Sequence, residues 1–176
     1  SVLKDSLEET QQVKKSSLTF APEAGTQRLR DVINKQVTED DLFGAVDAAF
    51  GAGWRRCKLY FMIGLPTETD DDIKGIASLV QRAYDRAKKA VPVEQRGNIR
   101  MSVSCALFVP KAQTPFQWDA QDTLETFREK QAHLKVVMKT KNVTYNWHDA
   151  ETSVLEGVIA RGDRRQGRAI LLAWQR

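Results

Sequence analysis

Acidic, basic and hydroxyl side chains follow the first strand-like segment of this 176-residue chain. The segment Ala21–Thr26 places a carboxylate and a hydroxyl beside a glycine, and Lys35 lies twelve residues after Glu23. A glutamate and a lysine near one strand end can bind a zwitterionic group, such as the ammonium and carboxylate of an amino acid. On spacing alone, the alternative is that Glu23 caps a helix and Lys35 is solvated.

Two further turns follow strand-like segments and have residues suited to a flat ligand. Gly64-Leu65-Pro66 comes after an apolar run, and a glycine there lets a ligand approach the backbone closely. The segment 108–118 contains two prolines and three aromatic residues, which predicts a stiff, partly apolar loop able to cover a ring such as adenine. The alternatives are a simple turn at Gly64 and a loop whose aromatic side chains pack over the core.

The metal-binding and thiol chemistry open to this chain is limited. Cys57 and Cys105 lie in strand-like runs, and two cysteines make neither a disulfide scaffold nor a zinc site, so we predict buried, reduced thiols. His133 and His148 lie fifteen residues apart without clustered ligands, which indicates structural roles for both. No metal site and no catalytic residue is therefore predicted.

The composition is that of a globular domain, with 41% hydrophobic and 28% charged residues. Its apolar runs are too short to span a bilayer, and the first residues lack a secretion signal, so we expect a cytoplasmic protein without membrane contact. The net charge is +4, and arginines cluster at Arg161–Arg168. That cluster predicts either contact with phosphate or RNA, or a solvated helix end.

Strand-like and helix-like segments alternate along the chain, which predicts βα units with a parallel sheet. Predicted strands cover 18–22, 57–63 and 99–109, with a further short strand at 143–147 left open; predicted helices cover 27–34, the segment after Thr38, the segment after Thr69, 124–140, 150–160 and 165–174. Residues 4–14 are polar and compatible with a helix.

This order predicts an α/β fold of about three parallel βα units followed by a C-terminal helical tail. Three units are too few to close an eight-stranded barrel, so the chain forms either a small open sheet or a half of a TIM-type barrel. A half-barrel leaves a strand edge exposed, and we expect that edge to pair with a second copy in a homo-oligomer.

Three motifs, in this order and spacing, resemble the later half of the radical S-adenosylmethionine (radical SAM) core. They are Ser17–Arg30 (SLTFAPEAGTQRLR), Lys58–Thr69 (KLYFMIGLPTET) and Phe108–Trp118 (FVPKAQTPFQW). The closest resemblance is to the bacterial subfamily with an N-terminal cobalamin-binding-like domain. It implies that residues 1–118 are the C-terminal half of a partial barrel and that 119–176 are a helical tail packing on it or extending it.

The resemblance implies a six-stranded partial barrel of an iron–sulfur oxidoreductase, of which this chain holds about the last three strands. In that family a [4Fe–4S] cluster is bound by a Cys-x3-Cys-x2-Cys loop, and its open iron chelates S-adenosylmethionine. This sequence has no such loop. We therefore expect this chain to be a fragment or a degenerate relative, whose partner is the missing N-terminal half of the same protein. On its own it is expected to hold neither S-adenosylmethionine nor the [4Fe–4S] cluster tightly and to perform no radical chemistry.

The first motif matches family positions around the methionine part of S-adenosylmethionine. By that resemblance Glu23 is the polar residue after the fourth barrel strand and Thr26 is the neighbouring hydroxyl. Lys35 takes the place of a basic residue that pairs with the methionine carboxylate, although lysine lacks the bidentate geometry of arginine.

The second and third motifs match positions around the ribose and the adenine. Tyr60 and Met62 lie on the fifth barrel strand, and Tyr60 stands where some relatives have an acid that binds the ribose. Gly64 and Leu65 match the turn near adenine, and Val109-Pro110 match the sixth-strand backbone that flanks the ring.

A non-catalytic module is the alternative function: a half-barrel that serves binding or assembly, or that contacts RNA through its basic tail. Three clustered cysteines encoded upstream of Ser1 favour the enzyme, and their absence favours the module. Neither the substrate nor the reaction follows from the fold.

Overall fold

The computed structural model describes residues 17–176, so the segment 4–14 lies outside the described residues. The elements, in chain order, are β1 (Leu18–Glu23), α1 (Gln27–Val32), α2 (Glu39–Gly51), β2 (Arg56–Ile63), α3 (Asp70–Ala90), a 3₁₀ helix (Val93–Asn98), β3 (Arg100–Leu107), α4 (Leu124–Val137), β4 (Val143–Trp147), α5 (Ala150–Arg161) and α6 (Gln166–Trp174). The alternation of strands and helices makes this an α/β protein, as the sequence predicts.

The four strands form one parallel sheet in the order β1-β2-β3-β4. Strands that are consecutive in sequence are therefore neighbours in space, and helical segments make each crossover. The estimate of about three βα units is wrong by one, because residues 143–147 pair with β3 along their whole length. The part predicted as a helical tail thus contributes a fourth strand to the sheet.

The two faces of the sheet differ in polarity and in what covers them. One face is apolar and packs with α2, α3 and α4 into the main core; from β2 and β3 it includes Cys57, Leu59, Phe61, Ile63, Met101, Val103, Cys105 and Leu107. The other face, here called the open face, is mostly half-exposed to exposed; it includes Lys58, Tyr60, Met62, Ser102, Ser104, Ala106, Thr144 and Asn146. The apolar alternation predicted for 99–109 is confirmed from Ile99 to Leu107, but β3 ends at Leu107, so Val109 and Pro110 follow the strand instead of lying on it.

Strand β1 contains an irregularity immediately before the Glu23 motif. Phe20 pairs with Leu59 and Glu23 pairs with Phe61, so three residue steps on β1 match two on β2. Pro22 lacks a backbone N–H and therefore suits such a bulge on an edge strand. Glu23 itself has a left-handed φ of 68°, so the chain turns sharply where the strand ends.

The helix starts follow the predicted capping signals, whereas some helix ends differ. Thr38 caps α2 by accepting a hydrogen bond from Asp41 N, 3.1 Å away, and Thr69 precedes α3 as predicted. Helix α4 ends at Val137 rather than at residue 140, because the chain must turn there to enter β4.

The C-terminal helices leave apolar side chains exposed and contain the chain's excess charge. Helix α6 exposes Ile170, Leu171, Leu172 and Trp174. Residues 161–176 contain five arginines and one aspartate, so their net charge of +4 equals that of the whole chain. Among the described residues, no helix is both long enough and apolar enough to cross a membrane.

We expect both cysteines to resist alkylation in the folded protein. Cys57 and Cys105 are free and buried, and burial raises the pKa of each thiol to about 12. The reactive thiolate is therefore scarce, and at about pH 8 we expect alkylation at least about a hundredfold slower than in the unfolded chain. Mass spectrometry after timed iodoacetamide treatment measures this, with Ser78→Cys, exposed on α3, as the reactive control. Rapid labelling of either native cysteine would contradict the prediction.

Candidate functional site

A cleft of about 510 Å³ runs along the carboxyl ends of the strands. It has charged residues at both ends and an apolar middle. The apolar lining consists of Ile33, Met62, Leu65, Phe108, Val109 and Phe116. In open parallel sheets, ligands bind at this edge, where the loops that follow the strands converge. The cleft is therefore the candidate site.

Glu23 and Lys35 form the first charged end of the cleft. Lys35 Nζ donates a hydrogen bond to Glu23 Oε1 over 3.3 Å, and both side chains are partly exposed. The left-handed backbone of Glu23 turns the chain at the strand end, beside the loop that brings Lys35 back from α1. The pair thus presents one carboxylate and one ammonium to a ligand.

A buried arginine fixes the turn that follows Glu23. Arg30 is 1% exposed, and its Nη1 donates to the carbonyl of Ala24 over 3.0 Å. Its Nη2 donates to Gln27 Oε1, and Glu39 lies 3.8 Å away. Burial lowers the pKa of Arg30, and the carboxylate of Glu39 opposes that change. The turn is therefore anchored from inside the protein.

Thr26 points away from the cleft and joins the turn to α3. Its hydroxyl donates to Asp72, and it caps α1 by accepting from Leu29 N. Asp72 also accepts hydrogen bonds from Arg28 and from the backbone and hydroxyl of Thr69. Burial alone would raise the pKa of Asp72, but the hydrogen bonds from Thr26, Arg28 and Thr69 outweigh it and lower the pKa to about 2. Thr26 is thus occupied by an internal contact.

The turn after β2 is held by a buried ionic cluster. Gly64 has a left-handed φ of 81°, and its N–H donates to Glu68 Oε1 over 2.8 Å. Lys130 donates to both Glu68 and Asp122 over 2.7 Å. Burial raises the pKa of Glu68, although the hydrogen bonds from Lys130 and Gly64 oppose that shift. The cluster ties the turn to α4 and leaves Leu65 in the cleft wall.

The loop after β3 forms the rest of the apolar wall. Phe108 and Phe116 contact edge to face, with ring centroids 6.1 Å apart. Val109 lines the cleft, whereas Pro110 is buried outside it. Phe108 is buried in a small cluster with Ala24, Leu29 and Leu65, and Phe116 packs against it, so these rings pack in a core as the alternative predicts while they also line the cleft.

The structure brings five of the nine predicted site residues together in the cleft: Glu23, Lys35, Met62, Leu65 and Val109. The other four, Thr26, Tyr60, Gly64 and Pro110, do not line it. Tyr60 lies on the open face, where the Lys58 ammonium is 4.6 Å from its ring centroid.

The sequence analysis predicted no site residues at the end of the cleft opposite Glu23 and Lys35. His148, Lys111 and Glu156 line the cleft there, on the side of β4. The structural role predicted for His148 rested on its isolation from other ligands. The available signal was its position, because His148 directly follows β4 and so lies at the same sheet edge as Glu23.

The described residues offer no ligand set for a metal. Within residues 17–176, no three His, Cys, Asp or Glu side chains are grouped so that they could hold a metal ion. Cys57 and Cys105 lie in the apolar core rather than in the cleft. These two thiols therefore do not fit an iron–sulfur cluster, whereas the cleft residues do fit a zwitterionic ligand with a flat ring.

Comparison with curated proteins finds an uncharacterized protein of Methanocaldococcus jannaschii that is 30% identical over 151 residues. The aligned segment covers 86% of this chain and 31% of that protein, so the chain spans about a third of its relative's length. No protein-family profile matches the chain. No solved structure matches it.

Proposed function

We propose that the cleft binds S-adenosylmethionine and that the chain is part of a radical SAM enzyme. The observation on which the proposal depends is the Glu23–Lys35 pair, 3.3 Å apart, beside an apolar slot in the same cleft. In the proposed complex Lys35 donates to the methionine carboxylate and Glu23 accepts from the ammonium group. Met62, Leu65 and Val109 contact the adenine and exclude water from it.

The sheet supports the same proposal. Parallel sheets normally have both faces covered, yet among residues 17–176 the main core packs only on the other face, and of the open face only Met62 packs against a small cluster that includes Leu29 of α1. The strand order β1-β2-β3-β4 is that of neighbouring strands in a barrel. We therefore propose that this sheet is part of a barrel wall and that the open face lines its interior.

The cluster belongs to another part of the enzyme in this proposal. The Cys-x3-Cys-x2-Cys loop is absent from this chain, and the chain spans only about a third of its relative. A reduced [4Fe–4S] cluster, when bound, supplies the electron that cleaves S-adenosylmethionine. The residues of this chain bind and orient S-adenosylmethionine, so we expect the isolated chain to bind it weakly and not to cleave it.

Methyl NMR of the three methionines tests binding to the 176-residue chain. Met62 lines the cleft and Met101 is buried in the main core, so we expect S-adenosylmethionine to shift the Met62 methyl signal saturably and to leave Met101 unchanged. Glu23→Gln and Lys35→Met each remove one charged contact, and we expect each to weaken binding about tenfold. Glu94→Gln and Lys141→Met, both at exposed positions, are the matched controls.

Two results would contradict the proposal. Either Met62 does not respond, or adenosine alone binds as tightly as S-adenosylmethionine, which would show that the charged pair recognises nothing. Cleavage is tested separately in the full-length product of the gene, by iron content and formation of 5′-deoxyadenosine. A full-length product without cluster cysteines would favour the non-catalytic module.

A further inference from the structure

The end of the cleft opposite Glu23 has its own set of polar groups. His148 follows β4, Lys111 lies in the loop after β3, and Glu156 lies on α5. We call these three residues the far end. The fourth βα unit contributes two of them, so the far end exists only because the sheet extends to β4.

The far end has unused hydrogen-bond donors, the remaining N–H groups of Lys111 and an N–H of the His148 ring. Lys111 Nζ lies 2.8 Å from Glu156 Oε1, so the only carboxylate here already has a cation beside it. Lys111 keeps further N–H groups for a ligand. Within residues 17–176 the His148 ring makes no hydrogen bond, and only its backbone does, with Cys105 O and Gln131 Nε2. An exposed ring on a fixed backbone, in the same cleft end as an ammonium that keeps unused N–H groups, suits an oxyanion.

The far end is too distant from Glu23 to bind the same head group. Strands β1 and β4 are three strand intervals apart, which at the usual spacing is about 14 Å. The apolar slot lies between the two ends. A ligand whose charged head lies at Glu23 and Lys35 and whose ring fills the slot leaves the far end for a second molecule.

We propose that the far end binds the carboxylate or phosphate group of a second reactant, which is the substrate. Lys111 and His148 donate to the oxyanion, and Glu156 holds Lys111 in place. That the far end binds an oxyanion follows from its own residues. That the oxyanion belongs to the substrate rests on the proposed function, because it assigns the rest of the cleft to S-adenosylmethionine.

The two histidines of the chain provide the test and its internal control. His148 lines the cleft, whereas His133 is exposed on α4 outside it. Ring signals of both are followed by NMR while sodium phosphate or sodium acetate is added at constant ionic strength and pH. We expect a saturable shift of His148 with phosphate, acetate or both, and no such shift of His133. The anion that binds more tightly identifies the substrate group as phosphate or carboxylate.

Lys111→Met should reduce the affinity for the anion at least about fivefold, because it removes a charge-assisted hydrogen bond. Lys111 is 58% exposed, so this variant should fold normally, and Lys141→Met is the matched control. Glu156→Gln should retain binding. Parallel shifts of His148 and His133, no shift of His148, or an unchanged affinity in Lys111→Met would each overturn the proposal.

The two proposals fail separately in these experiments. A response of His148 to phosphate without any response of Met62 to S-adenosylmethionine would remove the proposed function and leave the oxyanion site. The reverse result would remove the oxyanion site and leave the proposed function.

Discussion

Replacing Gly25 by alanine should destabilise the protein by about 3 kcal/mol or more and disrupt the Glu23 end of the cleft. A Cβ atom at Gly25 would lie 2.6 Å from the carbonyl carbon of Gly75 and closer still to Ile76 N and Asp72 O. All three atoms belong to the backbone of α3, so no side chain can rotate away. The turn and the helix would have to separate, and the turn includes Glu23.

Guanidinium unfolding of Gly25→Ala measures this effect, with Gly44→Ala as the matched control. Gly44 lies within α2 and a Cβ there would meet nothing within 4 Å. Because glycine costs more conformational entropy than alanine in a helix, Gly44→Ala should stabilise the protein by about 0.5–1 kcal/mol. A stability of Gly25→Ala close to that of the wild type would show that the turn does not approach α3 as described.

Asp72→Ala should lower the free energy of unfolding by about 3 kcal/mol, because it removes a buried carboxylate that accepts hydrogen bonds from three residues. Asp71 is the control: it occupies the same helical turn, is 91% exposed, and pairs only with Lys74 among the described residues. Asp71→Ala should change the free energy by less than about 0.5 kcal/mol. Equal effects of the two substitutions, measured by guanidinium unfolding, would rule out the role given to Asp72.

Lowering the pH should reveal how much the ionised Asp72 carboxylate contributes to the free energy of unfolding of the wild type. The pKa of Asp72 is lowered from 3.8 to about 2 in the folded protein, so its ionised form stabilises the fold by about 2 kcal/mol. That contribution is complete above the unfolded pKa and is lost as the pH falls from about 4 through about 2. We therefore measure the free energy of unfolding of both proteins at about pH 4 and about pH 2. Between these two pH values, the free energy of unfolding of Asp72→Asn should fall by about 2 kcal/mol less than that of the wild type. Identical losses in the two proteins would contradict the lowered pKa.

The long elements of the fold could be predicted because their apolar periodicity is independent of the rest of the structure. Every second residue from Ile99, which directly precedes β3, to Leu107 at its end is apolar, and these are the residues that the helices bury. Strand β4 was harder to predict because it has five residues and no buried side chain. What makes it a strand is its pairing with β3, a contact distant in sequence that no local pattern encodes.

The site could be predicted only as far as strand ends determine it. Glu23 and Lys35 are in contact because both lie at the carboxyl edge of β1, and the sequence order implies that edge. The sequence does not reveal which side of a turn a side chain faces, so Thr26 was placed with the ligand although it bonds Asp72. His148 was missed because its position depends on β4.

The neighbour-to-neighbour order of the strands has a consequence for how such a cleft can diversify. In the main core, α3 packs on α2, α4 on α3 and α5 on α4, so the first and last units share few contacts. Glu23 belongs to the first unit and His148 to the last. Substitutions at the Glu23 end of the cleft can therefore accumulate without repacking the His148 end, and the reverse also holds. Repeat proteins behave in the same way, because their stability is a sum of contributions from single repeats and from the interfaces between neighbouring repeats. A lineage can keep one half of the cleft unchanged while the other half acquires a new ligand.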